Sequence, residues 1–374
     1  MTFRLAAILI FYQLILGGLA VYYYSEIYLR ISIIMFFLFL CIYSYVINHK
    51  VKKDLIADFQ SSHLLNSYFT IILFLSVLFY IIKFVSLGIP IFERNANIAR
   101  VEFARSYDFL TFLFKNAGFI CIIYFSFARS LKWQMVSVVS FIVFGYFSGY
   151  RSAAAIPVVL LIFTYFLCFR GSMIRFMVKY FAVTFVALSV IFALLVRITM
   201  NRFGKSEGVF WDAVIMLAER IALVNYYNFL RIEKIFHNEP LYFGSIWWDL
   251  ESIFTSKMGF SGRVTEMTGF KNYETLQLTP TFLGEGFANF NDHLYIYSIV
   301  IILVLRLVVI SLNSFKNPIV FCTFFTWMLF LPISSGQGLG SFLFNFTPKF
   351  LITLLYLLFS WQIFCLIFRT RVHS

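Results

Sequence analysis

The chain has 374 residues, of which 61% are hydrophobic, 21% aromatic and only 13% charged, with a formal net charge of +13. A soluble domain normally carries roughly twice that share of charge, so too little polar surface is present to coat water-soluble domains of this size. Apolar runs recur from end to end, each long enough to cross a hydrocarbon layer about 30 Å thick, and the bilayer is the expected solvent.

In chain order the predicted spans are Leu5–Tyr24, Leu29–Ile47, Ser67–Leu87, Phe109–Phe127, Gln134–Gly149, Ser152–Phe169, Tyr180–Met200, Asp292–Leu312, Pro318–Ile333 and Pro348–Phe368. Backbone groups in lipid must be satisfied internally, so these runs read as helices, and the short alternating segments of a membrane barrel are absent from the pattern. The predicted fold is all-α: a polytopic transmembrane bundle of about ten spans with one large outer loop between spans seven and eight. Three regions follow, 1–200 with spans one to seven, 201–291 as the loop, and 292–374 with spans eight to ten and a basic tail.

Lys and Arg set the orientation. With the N-terminus inside, the inner segments hold Arg4; Lys50, Lys52 and Lys53; Arg129 and Lys132; Arg170, Arg175 and Lys179; Lys316; and Arg369 with Arg371. Both termini are therefore expected in the cytoplasm. The acids agree, since of 17 Asp and Glu only Asp54 and Asp58 fall inside. Arg4 and the small residues Gly18-Leu19-Ala20 also fit a cleavable signal, but the apolar run continues through Tyr24, and a retained first helix is expected. The five cysteines, Cys41, Cys121, Cys168, Cys322 and Cys365, are isolated in or beside spans and read as small core residues, not as metal ligands or an outer disulfide framework.

Within the loop, Asp212–Phe236 has helical periodicity, with Arg220, Tyr227 and Arg231 on one face, and is expected to lie along the outer membrane surface. The stretch 238–291 mixes aromatics with Gly and Pro and reads as a folded loop.

Cations gather on the outer side, against the usual rule. Lys83, Lys115 and Arg197 lie in the outer thirds of spans. Arg94, Arg100 and Arg105 crowd one short loop, Arg151 opens a span, and Arg202, Arg220, Arg231 and Arg263 sit in the large loop. A cation inside a span costs about 2.5 to 3.5 kcal/mol at the helix centre and less near its ends. Snorkelling and pairing with outer acids, such as Glu102 with Arg105, account for individual residues. The set as a whole points to an anionic substrate in the outer leaflet. Arg151 stands in a tight Gly149-Tyr150-Arg151 turn at a helix start, where free N–H groups and a guanidinium can both meet phosphate.

A second distinctive stretch, Thr279-Pro280-Thr281-Phe282-Leu283-Gly284-Glu285-Gly286-Phe287-Ala288-Asn289-Phe290, leads into Asp292 and His293. Glycines on both sides of Glu285 permit close approach of another backbone or a ligand. The carboxylate can deprotonate a sugar hydroxyl or accept backbone hydrogen bonds that fix a turn. His293 is open to three roles: base, sugar hydrogen-bonder or interfacial residue. Asp249 and Glu251 are an acidic pair of common spacing and weak as a metal site.

These residues carry a resemblance. The outward TPTFLGEGFANF stretch, the Gly-Tyr-Arg turn, and Gly88-Ile89-Pro90 followed by an Arg-rich outer loop resemble the oligosaccharide repeat-unit polymerases, the Wzy-type O-antigen or capsule polymerases. The ten-span layout is similar too. The resemblance implies a glycosyltransferase of the bacterial inner membrane, acting at its outer face without metal or other cofactor. It would join undecaprenyl-pyrophosphate-linked repeat units for O-antigen, capsule or exopolysaccharide. Implied catalytic residues are Glu285, Arg151 and His293. The expected pyrophosphate- and glycan-binding set is Arg94, Arg100, Arg105, Lys115, Arg197, Arg202, Arg220 and Arg231. Expected partners are the lipid-linked oligosaccharide, membrane lipids and a protein that sets chain length, not nucleic acid. An O-antigen ligase and a lipid-linked oligosaccharide flippase remain as alternatives. A flippase would usually show internal repeats or deep intramembrane acids.

Overall fold

The computed structural model describes residues 2–14, 18–46, 63–93, 96–149, 151–168, 185, 189, 209–255, 258–268, 281–334 and 338–370. Among these residues the protein is helical throughout, with no strand. The helices are α1 (Thr2–Gln13), α2 (Leu19–Tyr24), α3 (Ile27–Val46), α4 (His63–Leu87), α5 (Ala96–Arg105), α6 (Asp108–Phe127), α7 (Leu131–Phe147) and α8 (Arg151–Cys168). They continue with α9 (Val209–Phe236), α10 (Gly244–Phe254), α11 (Phe260–Met267), α12 (Thr281–Phe290), α13 (Tyr295–Ser314), α14 (Pro318–Ser334) and α15 (Thr347–Thr370). A 3-10 turn, Pro90–Phe92, follows α4, and a helical turn with a π-helical segment, Leu339–Phe346, leads into α15.

Five helical segments among the described residues are long and apolar enough to cross a membrane: Ile27–Tyr45, His63–Phe92, Asp108–Phe127, Tyr295–Ser314 and Leu339–Phe368. They coincide with predicted spans two, three, four, eight and ten. Predicted spans five, six and nine are shorter apolar helices, Leu131–Phe147, Ala154–Leu167 and Pro318–Ile333. The predicted first span holds α1 and α2, with residues 15–17 between them outside the described residues. A Cβ at Gly18 would sit 2.7 Å from the Gln13 carbonyl oxygen, so the chain passes too close to itself there for a larger residue. The predicted seventh span, 180–200, falls outside the described residues apart from Phe185 and Ser189.

The lipid-facing character of these helices is visible in their exposure. On α4, Ile71, Phe74, Leu78, Ile81 and Val85 recur every three or four residues and are all exposed, while Phe69, Ile72, Leu73, Ser76 and Tyr80 are buried. In water such an apolar outer stripe would be unfavourable, whereas in hydrocarbon it costs nothing.

The chain divides into two compact units. The first comprises Met1–Val51, Val214–Ser311 and Trp327–Pro348. Its core is aromatic: Phe229 of α9 packs edge-on against Phe287 of α12 at 5.5 Å, and Phe236 meets Trp248 and Phe260. The α9 helix runs from Val209, close to the predicted start at Asp212, and is two-faced as its periodicity requires. Asn228, Phe229, Ile232 and Phe236 are buried, while Tyr227 is exposed. The stretch 238–291 is folded, as expected, into α10, α11 and α12 where it is described.

The second unit comprises Lys52–Ala213, Leu312–Thr326 and Lys349–Ser374. Here α6 crosses α7 at Gly118, where a Cβ would overlap the Phe141 ring. Phe69 of α4 stacks on Tyr124 of α6 at 4.0 Å, and the Tyr124 hydroxyl donates to Asn66 Oδ1 at 2.8 Å. Cys121 and Cys322 are buried in this unit as free thiols.

Candidate functional site

In the first unit the chemistry centres on Glu285, in the middle of α12. All ten residues of this helix are buried, and Glu285 is 0% exposed. Thr281, in the left-handed region with φ 56°, turns the chain into the helix, and its hydroxyl accepts from Gly284 N at 3.3 Å. At the other end Leu241 N and Tyr242 N donate to the carbonyls of Ala288 and Asn289 at 2.8 and 3.1 Å, satisfying acceptors that a helix end leaves open. Tyr242 and Phe243 take positive φ values of 46° and 71° to make this turn, which delivers Ser245 to the side of α12.

The Glu285 carboxylate is held by donors from two distant segments. Ser245 Oγ donates to Oε1 at 2.9 Å, Gly340 N donates to Oε1 at 3.3 Å, and Leu339 N donates to Oε2. Asn289, one turn along, donates to Ser245 Oγ at 2.7 Å and to the Glu285 carbonyl at 2.8 Å, and so fixes the serine. The buried Tyr297 hydroxyl also faces this carboxylate, although its geometry falls short of a hydrogen bond. The glycines beside Glu285 serve close packing: a Cβ on Gly284 would lie 2.9 Å from Ile232 Cδ1, and one on Gly286 would lie 3.0 Å from Tyr297 Cδ1.

A second buried carboxylate, Asp249, lies one turn after Ser245 on α10 and accepts from Phe260 N at 2.9 Å. The Gly338–Gly340 turn runs between the two acids. A Cβ on Gly338 would overlap Glu285, and one on Gly340 would overlap Asp249. Gly338 also has φ 95°, so glycine is required there twice over. Burial pushes the Asp249 carboxyl up to about 7, with the nearby Glu285 charge adding to the rise and the Phe260 amide and Arg263 opposing it. Burial likewise raises Glu285, while Tyr297, Leu339, Ser245 and Gly340 favour its ionised form. Glu251 turns away from Asp249 and pairs with Arg263, whose guanidinium also lies over Trp248 at 4.9 Å.

His293 is exposed, in the 3-10 turn after α12, with Nδ1 3.2 Å from the Tyr295 hydroxyl. Of the two expected acid–base residues, Glu285 is sealed inside the protein and His293 is open to solvent. Arg231 is half-buried on α9.

The second unit gathers cations at one end. Lys83 is 1% exposed; its ammonium donates to Thr111 Oγ1 at 2.6 Å and sits over the Phe103 ring at 4.3 Å. Phe103 stacks on Phe84 at 4.9 Å, which ties α5 to the end of α4. Arg100, also on α5, lays its side chain along Gly149, where a Cβ would be 3.6 Å from Cδ. Gly149 has φ 75° and ends the α7 side of the turn that Arg151 leaves as the first residue of α8. Two expected groups, Arg100 and the Gly149–Arg151 turn, are therefore neighbours. Arg105 is exposed at the end of α5, and Lys115 is half-buried on α6. Arg94, Arg197 and Arg202, and the side chains of Arg151 and Arg220, lie outside the described residues.

Sequence reasoning missed Ser245 and the Gly338-Leu339-Gly340 turn, whose signal was a Gly-x-Gly step between two apolar runs. Among the described residues the fold is all-helical and built on apolar helices, five of them of membrane-crossing length. No protein-family model, no curated protein and no solved structure matches the chain.

Proposed function

We propose that this protein is a membrane glycosyltransferase of the repeat-unit polymerase type. In this reading about ten helices cross the bacterial inner membrane with both termini inside, and lipid-diphosphate-linked oligosaccharides are joined at the outer face. The observation that supports it most is the basic end of the second unit, where buried Lys83, Arg100 and the Gly149–Arg151 turn come together on apolar helices. Such a cluster is costly beside lipid unless an anion offsets it.

The reaction is a displacement at a sugar. An acceptor hydroxyl attacks the anomeric carbon of the donor glycan, the bond from that carbon to the diphosphate oxygen breaks, and the diphosphate leaves with the electron pair. The leaving group is already anionic, so cations rather than a proton donor stabilise it, and Arg151 with Arg100 and Lys115 take that role. The hydroxyl proton passes to a general base. Glu285 acts through what it holds: its carboxylate locks Ser245 and the Gly338–Gly340 turn in place. Arg94, Arg105, Arg197, Arg202, Arg220 and Arg231 complete the anionic and glycan contacts.

The test is reconstitution of the full chain in lipid discs with a lipid-linked repeat unit. Products of two, three and more repeats on one lipid are expected from the wild type, and none from Arg151→Ala. Wild-type protein that never extends the lipid-linked unit would overturn the reading.

A further inference from the structure

We propose that Lys83, Lys115 and Lys349, from three helices of the second unit, form a binding site for a phosphate-bearing anion. The register of the helices brings them to one end. Near the start of α4, Tyr68 donates to the Leu357 carbonyl of α15 at 2.6 Å and packs against Trp361, whereas Phe79 further along α4 meets the earlier Tyr356 through Phe114, so α4 and α15 run in opposite directions. Tyr124, near the end of α6, reaches Asn66, near the start of α4, and Phe114 of α6 stacks on Phe79 of α4 at 4.8 Å. Phe114 also meets Tyr356 of α15 at 6.1 Å. Lys83 is one turn beyond Phe79 and Lys349 two turns before Tyr356, on the same side of that contact level, while Lys115 adjoins the level itself at Phe114.

Thr111, which the Lys83 ammonium meets, stands one turn before Lys115 on the same side of α6, so the two lysines share that side. Lys115 also lies within electrostatic reach of Lys349. The carboxylate that reaches both Lys83 and Lys115 is Asp108. Three ammonium groups against one carboxylate leave an excess of two positive charges, which a phosphate dianion matches. The contacts of the Lys83 ammonium are a hydroxyl and a ring face, both neutral. A buried cation of this kind is stabilised by a charged acceptor far more than by these two. Lys349 is exposed and Lys115 half-buried, so the three form a graded path from solvent to the interior.

The anion can come from a lipid head or from free phosphate. Identifying it as the diphosphate of the lipid-linked oligosaccharide rests on the functional reading above; the site itself rests on the helix register and charge count. The experiment uses the full chain in discs of zwitterionic phosphatidylcholine, titrated with a short-chain prenyl diphosphate, with inorganic pyrophosphate, and in a third arm with phosphatidylglycerol added to the disc. Saturable binding of a phosphate probe is expected, weakened about tenfold or more by Lys115→Gln and by Lys349→Gln and reduced by added salt. Tighter binding of the prenyl diphosphate, or its displacement by phosphatidylglycerol, identifies a lipid head; equal binding of pyrophosphate identifies a free anion. Lys349 is exposed, so its variant keeps the test usable if Lys83→Gln fails to fold. Unchanged affinity in both Lys115→Gln and Lys349→Gln, or no binding of any probe, overturns the site. Since no sugar transfer is read, failure of the polymerase reading leaves these results standing.

Discussion

The donors on Glu285 set what its substitutions do. In Glu285→Gln one of the two acceptor oxygens becomes an amide donor, which must face Ser245, Leu339 N or Gly340 N. A buried donor left without an acceptor costs about 1 to 3 kcal/mol, so the variant should unfold at lower temperature than the wild type. A positioning role predicts that its residual activity keeps the wild-type pH profile. A Glu285→Gln enzyme that lost the limb of a general base would assign that role to Glu285 itself. Asp249 gives a pH test of its own. Its folded-state value of about 7 is above its usual 3.8, so folding takes up a proton between these values. Its stability cost is absent below the lower value, grows as pH rises and is complete above the upper one. Thermal unfolding should therefore occur at lower temperature at about pH 8 than at about pH 5, and Asp249→Asn should flatten that difference.

Among the elements, the close approaches at glycine rank themselves. Gly284→Ala brings a Cβ to 2.9 Å from the tip of Ile232, a side-chain end that can shift, and the gain in helix propensity of about 1 kcal/mol offsets the contact. That variant should be close to neutral. Gly338→Ala meets the Glu285 carboxylate and has φ 95°, so it combines backbone strain with a clash against a fixed group. It should cost about 2 to 4 kcal/mol, measurable as a loss of thermal stability of the purified protein in detergent. The α9 helix was legible in the sequence because its apolar face repeats every three or four residues. The partners of Glu285 were not, because Ser245 and Leu339 lie 40 and 54 positions away and no local period links them. Asp249 and Glu251 form a pair in the sequence, but residues two apart on a helix point to different sides, and α10 sends one inward and the other to Arg263.

For the whole molecule, hydropathy alone located the helices that match predicted spans two, three, four, eight and ten. The close approach of Gly18 to the Gln13 carbonyl inside the predicted first span leaves no mark in a hydropathy window, which averages polarity and not shape. The proposed topology is open to a direct check. A reporter active only outside the inner membrane should work when fused after Asn238 and fail after Lys53 or Ser374. Activity at Ser374 would mean an odd number of crossings. The measurement that bears most directly on the functional claim is an electrophoretic ladder of surface glycans from cells whose only copy of this protein is wild type or Arg151→Ala. Membrane abundance is measured for both. The polymerase account predicts a full ladder for the wild type and, at equal abundance, single repeat units for the variant. A full ladder from Arg151→Ala, or long lipid-linked polymer accumulating in cells without the protein, would contradict it.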